Sequence, residues 1–539
     1  MTFTNRRSFL SDVGHGMLAA GLGTSLANDL GFSTAFAEEG SDSIPLGEHT
    51  RLVELMRNTP AEKLQTVLAA KILKGETNLK QLVAAGALAN AVTFGGCDYV
   101  GFHTAMAMLP ALEMSGQLAS GRRPLPVLKV LYRNSQQIQE VGGASTTKLH
   151  ALDASEAAEH ATQGDLSEQI RDACRNVDVG LGENLLATVG DSPLEAFNAL
   201  QLAMQDDLNV HRFVFAHRTY GLVGLLGKEY SYSLLRQCVR FCANHEQNRI
   251  DHKRPDSPIR ALIPKLLDQY KLAGKKLGKR DPGDAAIDEL SQAIYHGPRE
   301  QAVASALTEG MAPEVVGEAI SLASNLYVLR QGADKWRTHG DSAGVHSSDA
   351  TNAWRNMARV AESRHAVSGL IVAAYHAGIQ SAPFTAPAYP TDEHRAVVKV
   401  SNAAGLLAET EDAIRHNDQG RATAAIQIYG ERGYKVEPVF KLMLKYAVSE
   451  DGRLHAEKYY NTVREEYGTT RRAFRWRQVV GLARVTASAY GYNRRRQKRF
   501  PRCRLRRRLQ TARCRIVKPG PSSHKRTPCQ VINSSVTLS

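Results

Sequence analysis

From residue 50 to about residue 490, apolar side chains recur every three to four positions, and strict alternation is scarce. That spacing lays an apolar stripe along one side of a helix, whereas a half-buried strand alternates with a period of two. Segment 60–74 opens with Pro60 and stops before Gly75, an early Pro and a terminal Gly that suit a helix start and stop. A second helix is expected to begin at Asn78-Leu79. Asp191-Ser192-Pro193-Leu194-Glu195 supplies a cap, an early Pro and an acidic first turn for another long helix. Segments 283–297, 299–309, 313–331, 349–378 and 455–468 carry the same pattern. Aromatics make up only 6% of the chain, which with abundant Ala favours close helix packing. The expected fold is all-α and multi-helical.

A chain of 539 residues exceeds the roughly 250–300 residues that one hydrophobic core usually supports. Two similar helical halves packed about a pseudo-twofold are expected: half A at 48–255 and half B at 283–490, joined by 256–282. Lys71–Asn90 and Ala306–Asn325 share a plan of helix end, Gly, polar link and helix, and Gly75/Gly310 and Asn90/Asn325 match at one offset. Each unit is followed by a Gly-x-His step, at Gly101-Phe102-His103 and Gly344-Val345-His346. A gap-free match of 196–220 with 422–446 includes Tyr220 and Tyr446.

Both termini change this picture. Asn5-Arg6-Arg7-Ser8-Phe9-Leu10, an uncharged Gly/Ala-rich stretch and Ala35-Phe36-Ala37 resemble a twin-arginine export signal over 1–37, followed by a linker over 38–47. This resemblance implies the twin-arginine export machinery as a partner and a periplasmic or otherwise extracytoplasmic location. The apolar stretch is short of the ~20 residues a membrane span needs, so no stable span is expected. The formal charge of +14 belongs to the other end: residues 491–539 hold 15 Lys and Arg and no acidic residue. Without them, 53 basic residues face 54 acidic ones. A disordered basic tail is expected there, and its lack of interleaved aromatics argues against nucleic acid as a partner.

Four body cysteines, Cys97, Cys174, Cys238 and Cys242, are too few for a disulfide scaffold. Gly340-Asp341-Ser342-Ala343-Gly344 matches the nucleophile elbow of hydrolases in letters, but polar residues stand where a buried strand is required, so a plain loop is expected. Histidine is the recurrent polar residue at helix edges. His211 and His217 lie about 240° apart on a helix and cannot aim at one point. His365 and His376 share a face but are about 16 Å apart along the axis. Glu362-Ser363-Arg364-His365 reads as a Glu-x-x-His metal step on a helix. Cys238, Cys242 and His245 fall within about 60° of one helical face, a soft-metal ligand set or a core stripe.

The unit around Gly96-Cys97-Asp98-Tyr99-Val100-Gly101-Phe102-His103 resembles the alkylhydroperoxidase D-like and carboxymuconolactone decarboxylase group. Members typically carry Cys-x-x-Cys and a later His. Here Val100 stands in the second cysteine position and His103 falls one residue early. The resemblance implies a shared small helical unit and does not carry the redox pair.

Two stretches concentrate polar groups among apolar ones: 210–220, with His211, His217, Arg218 and Tyr220, and 454–460, with His455. Burying such groups without partners costs about 1–3 kcal/mol each, so they face water or share a pocket. If the halves pair, these stretches meet His103 and His346 at the interface. The expectation is a histidine-lined pocket with His103, His217, His346 and His455 as catalytic residues. His211, Arg218 and Tyr220 are cofactor-binding, and Glu362, His365, Cys238, Cys242 and His245 are metal ligands. The activity would be a metal- or cofactor-dependent oxidoreductase using iron, copper or zinc on a small-molecule substrate. A non-catalytic scaffold or binding protein of the cell envelope is the alternative, and a metal-free hydrolase or lyase with His103 or His217 as base stays open.

Overall fold

Asn78 turns local pattern into structure. Its side chain accepts the Gln81 amide while the Gln81 side chain accepts the Asn78 amide, a reciprocal cap on helix α1 (Leu79–Phe94). A short turn later, Asp98 accepts the Gly101 amide at 2.6 Å and starts α2 (Tyr99–Ser115). The computed structural model describes residues 44–152, 164–332, 342–379 and 384–491. The expected leader and nearly all of the basic tail lie outside them. Among the described residues there is no strand, only an isolated bridge between Arg280 and Met311. The chain is all-α. No helix among the described residues is long and apolar enough to cross a membrane.

Further helices frame the site: α3 (Pro124–Glu140), α4 (Val210–Leu226), α5 (Ser231–Asp251), α6 (Pro313–Arg330), α7 (Ala343–Val360), α8 (Arg453–Thr469) and α9 (Arg475–Ala489). Four of them close a ring of neighbours in the order α2, α4, α7, α8 and back to α2. They run in the same direction. Their first turns meet through His103, His211, His346 and His455, and they meet again farther along, where Glu465 of α8 takes Arg218 of α4 and Asn356 of α7.

Each inner helix is backed by an outer one. Helix α1 lies antiparallel to α2, with Asn90 bonded to Thr104 and Gly86 against Met108. Helix α6 lies antiparallel to α7: Gly344 meets Val328, Ser324 bonds Thr351, and Gly317 meets Arg355. A Cβ on Gly344 would sit 2.7 Å from the Val328 amide nitrogen, so this crossing requires glycine. Helix α5 backs α4 through Arg212 and Cys242, and α9 packs on α8 after a short link. The order outer, inner, inner, outer therefore occurs over α1, α2, α4, α5 and again over α6, α7, α8, α9. The matched glycines play one local part, since Gly75 and Gly310 both end a helix at positive φ (70° and 84°).

Polar residues are built into the helix contacts. Asn90 donates to Asn134 and Thr104, and Thr104 donates to Asn134 at 2.9 Å, tying α1, α2 and α3. Glu466 of α8 is a buried hub that accepts from Ser321, Asn352 and Arg355. These groups are satisfied only in this packing, so they fix which helices meet.

Two expectations about helix extent are corrected. Segment 349–378 is two helices, α7 and Ser363–Ile379, because Ala361 is extended and the Glu362 amide donates to Asn198 at 2.9 Å. Glu362 sits in that break, so the Glu-x-x-His step does not lie within one helix. The helix from Pro193 ends at Ala199, a short Gln201–Gln205 segment follows, and Asn209 caps a new start at Val210.

Removing one partner of the buried hub tests the packing. Arg355→Met leaves the Glu466 carboxylate without its cation and should lower unfolding free energy by about 3–5 kcal/mol. Chemical denaturation of the two proteins measures this, and a loss under about 1 kcal/mol would rule out a stabilising role for the hub.

Candidate functional site at the start of four helices

His103 is the fifth residue of α2, His211 the second of α4, His346 the fourth of α7 and His455 the third of α8. Side chains in a helix lean toward its N-terminus. Four inner helices starting at one level therefore bring four imidazoles together. Ring centroids are 4.6 Å apart for His103–His211, 5.7 Å for His211–His346, 5.3 Å for His346–His455 and 5.5 Å for His455–His103. Asp98, Asn209 and Ser342 cap three of these starts and set the first turns from which the histidines project. Tyr99 is largely exposed and lies 4.4 Å from the His103 ring, and Phe102 lies 5.3 Å from that of His211.

The tautomers follow from the hydrogen bonds. His103 Nδ1 lies 2.7 Å from the Tyr99 carbonyl, which only accepts, so Nδ1 carries the proton. His211 Nδ1 lies 3.1 Å from Asn209 Oδ1, which accepts in the same way. Both Nε2 atoms then present lone pairs. Both are buried, and neither has a hydrogen-bond partner. Burial, aided by Lys458 and His346, holds the His103 imidazole well below its ordinary value. Burial, with His103 and Lys458, does the same for His211. These two imidazoles are neutral at pH 7, the form that accepts a proton or ligates a metal.

A second polar layer lies one turn farther in. Asp349 follows His346 by three residues on α7, and Lys458 follows His455 by three on α8. Both are buried, and Thr462 donates to Asp349 Oδ1 at 2.8 Å. Burial pushes the Asp349 carboxyl up against the opposing pull of Lys458 and Thr462. Burial lowers the Lys458 ammonium to about 8, with Asp349 opposing. Glu457 faces elsewhere, pairing at 2.5 Å with Lys129 of α3, which also donates to the Ser449 and Arg453 carbonyls and so anchors the start of α8. Neither Asp349 nor Lys458 is among the sequence candidates. The signal that marks them is a His-x-x-charge step at the start of a helix whose neighbours are polar at the same spacing.

The remaining candidates sit apart from the ring. His217 points away from His211, as the helical angle requires, into a group with Arg218 and Glu465; burial and Arg218 pull its imidazole down to about 3. Arg218 pairs with Glu465 at 3.3 Å, and Tyr220 stacks on Phe197 at 4.2 Å. Glu362 is exposed, while His365 is buried with Nδ1 unbonded. Cys238 and Cys242 are buried free thiols, and His245 stacks against Phe241. Arg212 donates to Cys242 Sγ at 3.1 Å. Burial raises the Cys242 thiol, but Cys174 and Arg212 outweigh it and bring it to about 7. Ser342 is buried, caps α7 and donates to Gln331, so Ala343 and Gly344 begin a helix where a plain loop is expected; Gly340 and Asp341 lie outside the described residues. As the rings stand, no three His, Cys, Asp or Glu side chains among the described residues are set to hold a metal ion.

No protein-family model matches this chain, and no curated protein or solved structure matches it.

The buried imidazoles make stability depend on pH. His376 lies against Phe213, and burial lowers it to about 4. The folded chain then binds fewer protons than the unfolded one between about pH 4 and the ordinary histidine value of about 6.5. Stability should be full above pH 6.5 and fall as the solution is acidified, with His376 alone contributing roughly 1 kcal/mol of loss at pH 5.5. Urea denaturation at pH 7.5 and 5.5 measures the slope. His376→Leu should flatten it, and an unchanged slope would remove His376 from the account.

Proposed function

We propose that this chain is an exported, extracytoplasmic enzyme, an oxidoreductase that holds a transition metal at the histidine ring and acts there on a small molecule. The observation that carries the reading is the meeting of four imidazoles from four helices, with the Nε2 lone pairs of His103 and His211 buried and unbonded. Around the ring, each imidazole centroid stands 4.6–5.7 Å from the next. Imidazole nitrogen suits iron, copper and zinc, and a second nitrogen tied to a carbonyl is what keeps a ligating ring in one tautomer. The rings as they stand do not close on an ion. Closing on an ion would need rotation about the last histidine torsion, which is broad in itself but for His103 and His211 also strains the Nδ1 hydrogen bond. Bound there, such a metal supplies electron transfer or Lewis acidity. The chain's own residues hold the imidazoles neutral, screen them from water beneath Tyr99 and Phe102, and keep Lys458 and Asp349 one turn away. The export signal fits this reading, because twin-arginine export carries chains already folded. We also propose that the two outer–inner–inner–outer sets are related by duplication about a twofold along the ring axis.

Metal analysis of protein secreted by its native route is the test. Stoichiometric iron, copper or zinc is expected, lost in the double variant His103→Ala/His211→Ala. His365→Ala and Cys238→Ser should keep it, which separates the ring from the Glu362–His365 and Cys238–Cys242–His245 alternatives. A folded protein without metal would overturn the metal reading. It would favour acid–base chemistry with His103 as base, which the open, tilted arrangement of the rings also suits. The envelope-scaffold alternative has less support, since these histidines are gathered inside and not spread over the surface.

A further inference from the structure

Lys458 is the least explained group in the interior. It is 3% exposed and follows His455 by three residues on α8. The charged groups that act on it are Asp349, Arg218 and Glu457, and it acts in turn on the His103 and His211 imidazoles. Glu457 is taken by Lys129, and Arg218 by Glu465. Asp349 spends one oxygen on Thr462, and its Oδ2 is buried without a hydrogen bond. No ion pair of 4.0 Å or less joins Lys458 to a carboxylate among the described residues. A buried ammonium without a close counter-ion is costly, and natural interiors keep such charges where something answers them. His103 Nε2 and His211 Nε2 are lone-pair acceptors without partners, and with Asp349 Oδ2 they make three unsatisfied polar atoms in the groups around Lys458.

We propose that the region between Lys458, Asp349 and the ring takes a small anion of a few heavy atoms, such as a carboxylate or a pseudohalide, with Lys458 as its counter-ion and Asp349 bordering it. The inference deepens the reading of the histidine ring as the reactive centre and rests on it for the claim that this anion is the substrate or a substrate fragment. It names the class: a small anionic molecule, drawn to an ammonium one helical turn inside the ring. Lys458 is then a binding residue. Asp349 Oδ2, buried and unbonded, borders the anion's side of Lys458.

Azide and formate are the probes, titrated by calorimetry into full-length protein whose metal content is measured in the same sample. Wild type should bind each at one site per chain, and the two should compete. Lys458→Met, which keeps length and removes charge, should weaken azide binding at least about tenfold. Lys458→Arg, which keeps the charge, should retain most of it, and melting temperatures monitor folding of both. Absence of binding to folded wild type, or unchanged affinity in a folded Lys458→Met, overturns the proposal. If Lys458→Met does not fold, independent rather than competing sites for azide and formate on wild type overturn it. The two readings fail separately: anion binding without metal removes the metal centre and leaves this site, whereas metal without anion binding removes this site alone.

Discussion

Four helices that all begin at one level cannot bury their first turns without also bringing together whatever polar side chains those turns carry. Here the constraint is met by histidine. Each of α2, α4, α7 and α8 contributes one imidazole from its first five residues, and the lean of side chains toward the helix start gathers the rings. Parallel neighbours align their dipoles unfavourably. The antiparallel backing of α2, α4 and α7 by α1, α5 and α6 offsets this, and the crossings are tight enough that Gly344 has no room for a Cβ.

Down the axis from the ring the polar groups continue in layers. Asp349 and Lys458 come first, then Glu465 with Arg218 and Asn356, while Glu466 binds the same helices to α6 from the side. The Glu465 and Glu466 groups bond across helices and act as register pins, since sliding one helix by a turn would strand several buried groups at once. In the ring and the layer below it, His103 Nε2, His211 Nε2 and Asp349 Oδ2 are buried without a hydrogen bond.

Much of the fold was legible because helix formation is local. Apolar spacing, Pro60 and the start expected at Asn78-Leu79 gave correct helices from one segment alone. The failures are equally physical. Segment 349–378 keeps helical spacing throughout, yet it breaks at Ala361 and Glu362 because Asn198, far away in the chain, captures the Glu362 amide. The Glu-x-x-His step looked like a helical metal pair for the same reason, and it lost that geometry at the same place.

The chain by itself determined that it would be helical, that its body would be near neutral, and that histidines would recur at helix edges. Those properties depend on side-chain chemistry and on spacings within one turn. Which histidines meet was a tertiary matter: His103, His211, His346 and His455 converge because four remote helices share a direction and a level, while His217, six residues from His211, is turned away. Lys458 and Asp349 gained meaning the same way. Each is an ordinary charged residue in its own helix, and only the packing of α7 against α8 removed both from water and set them beside the ring.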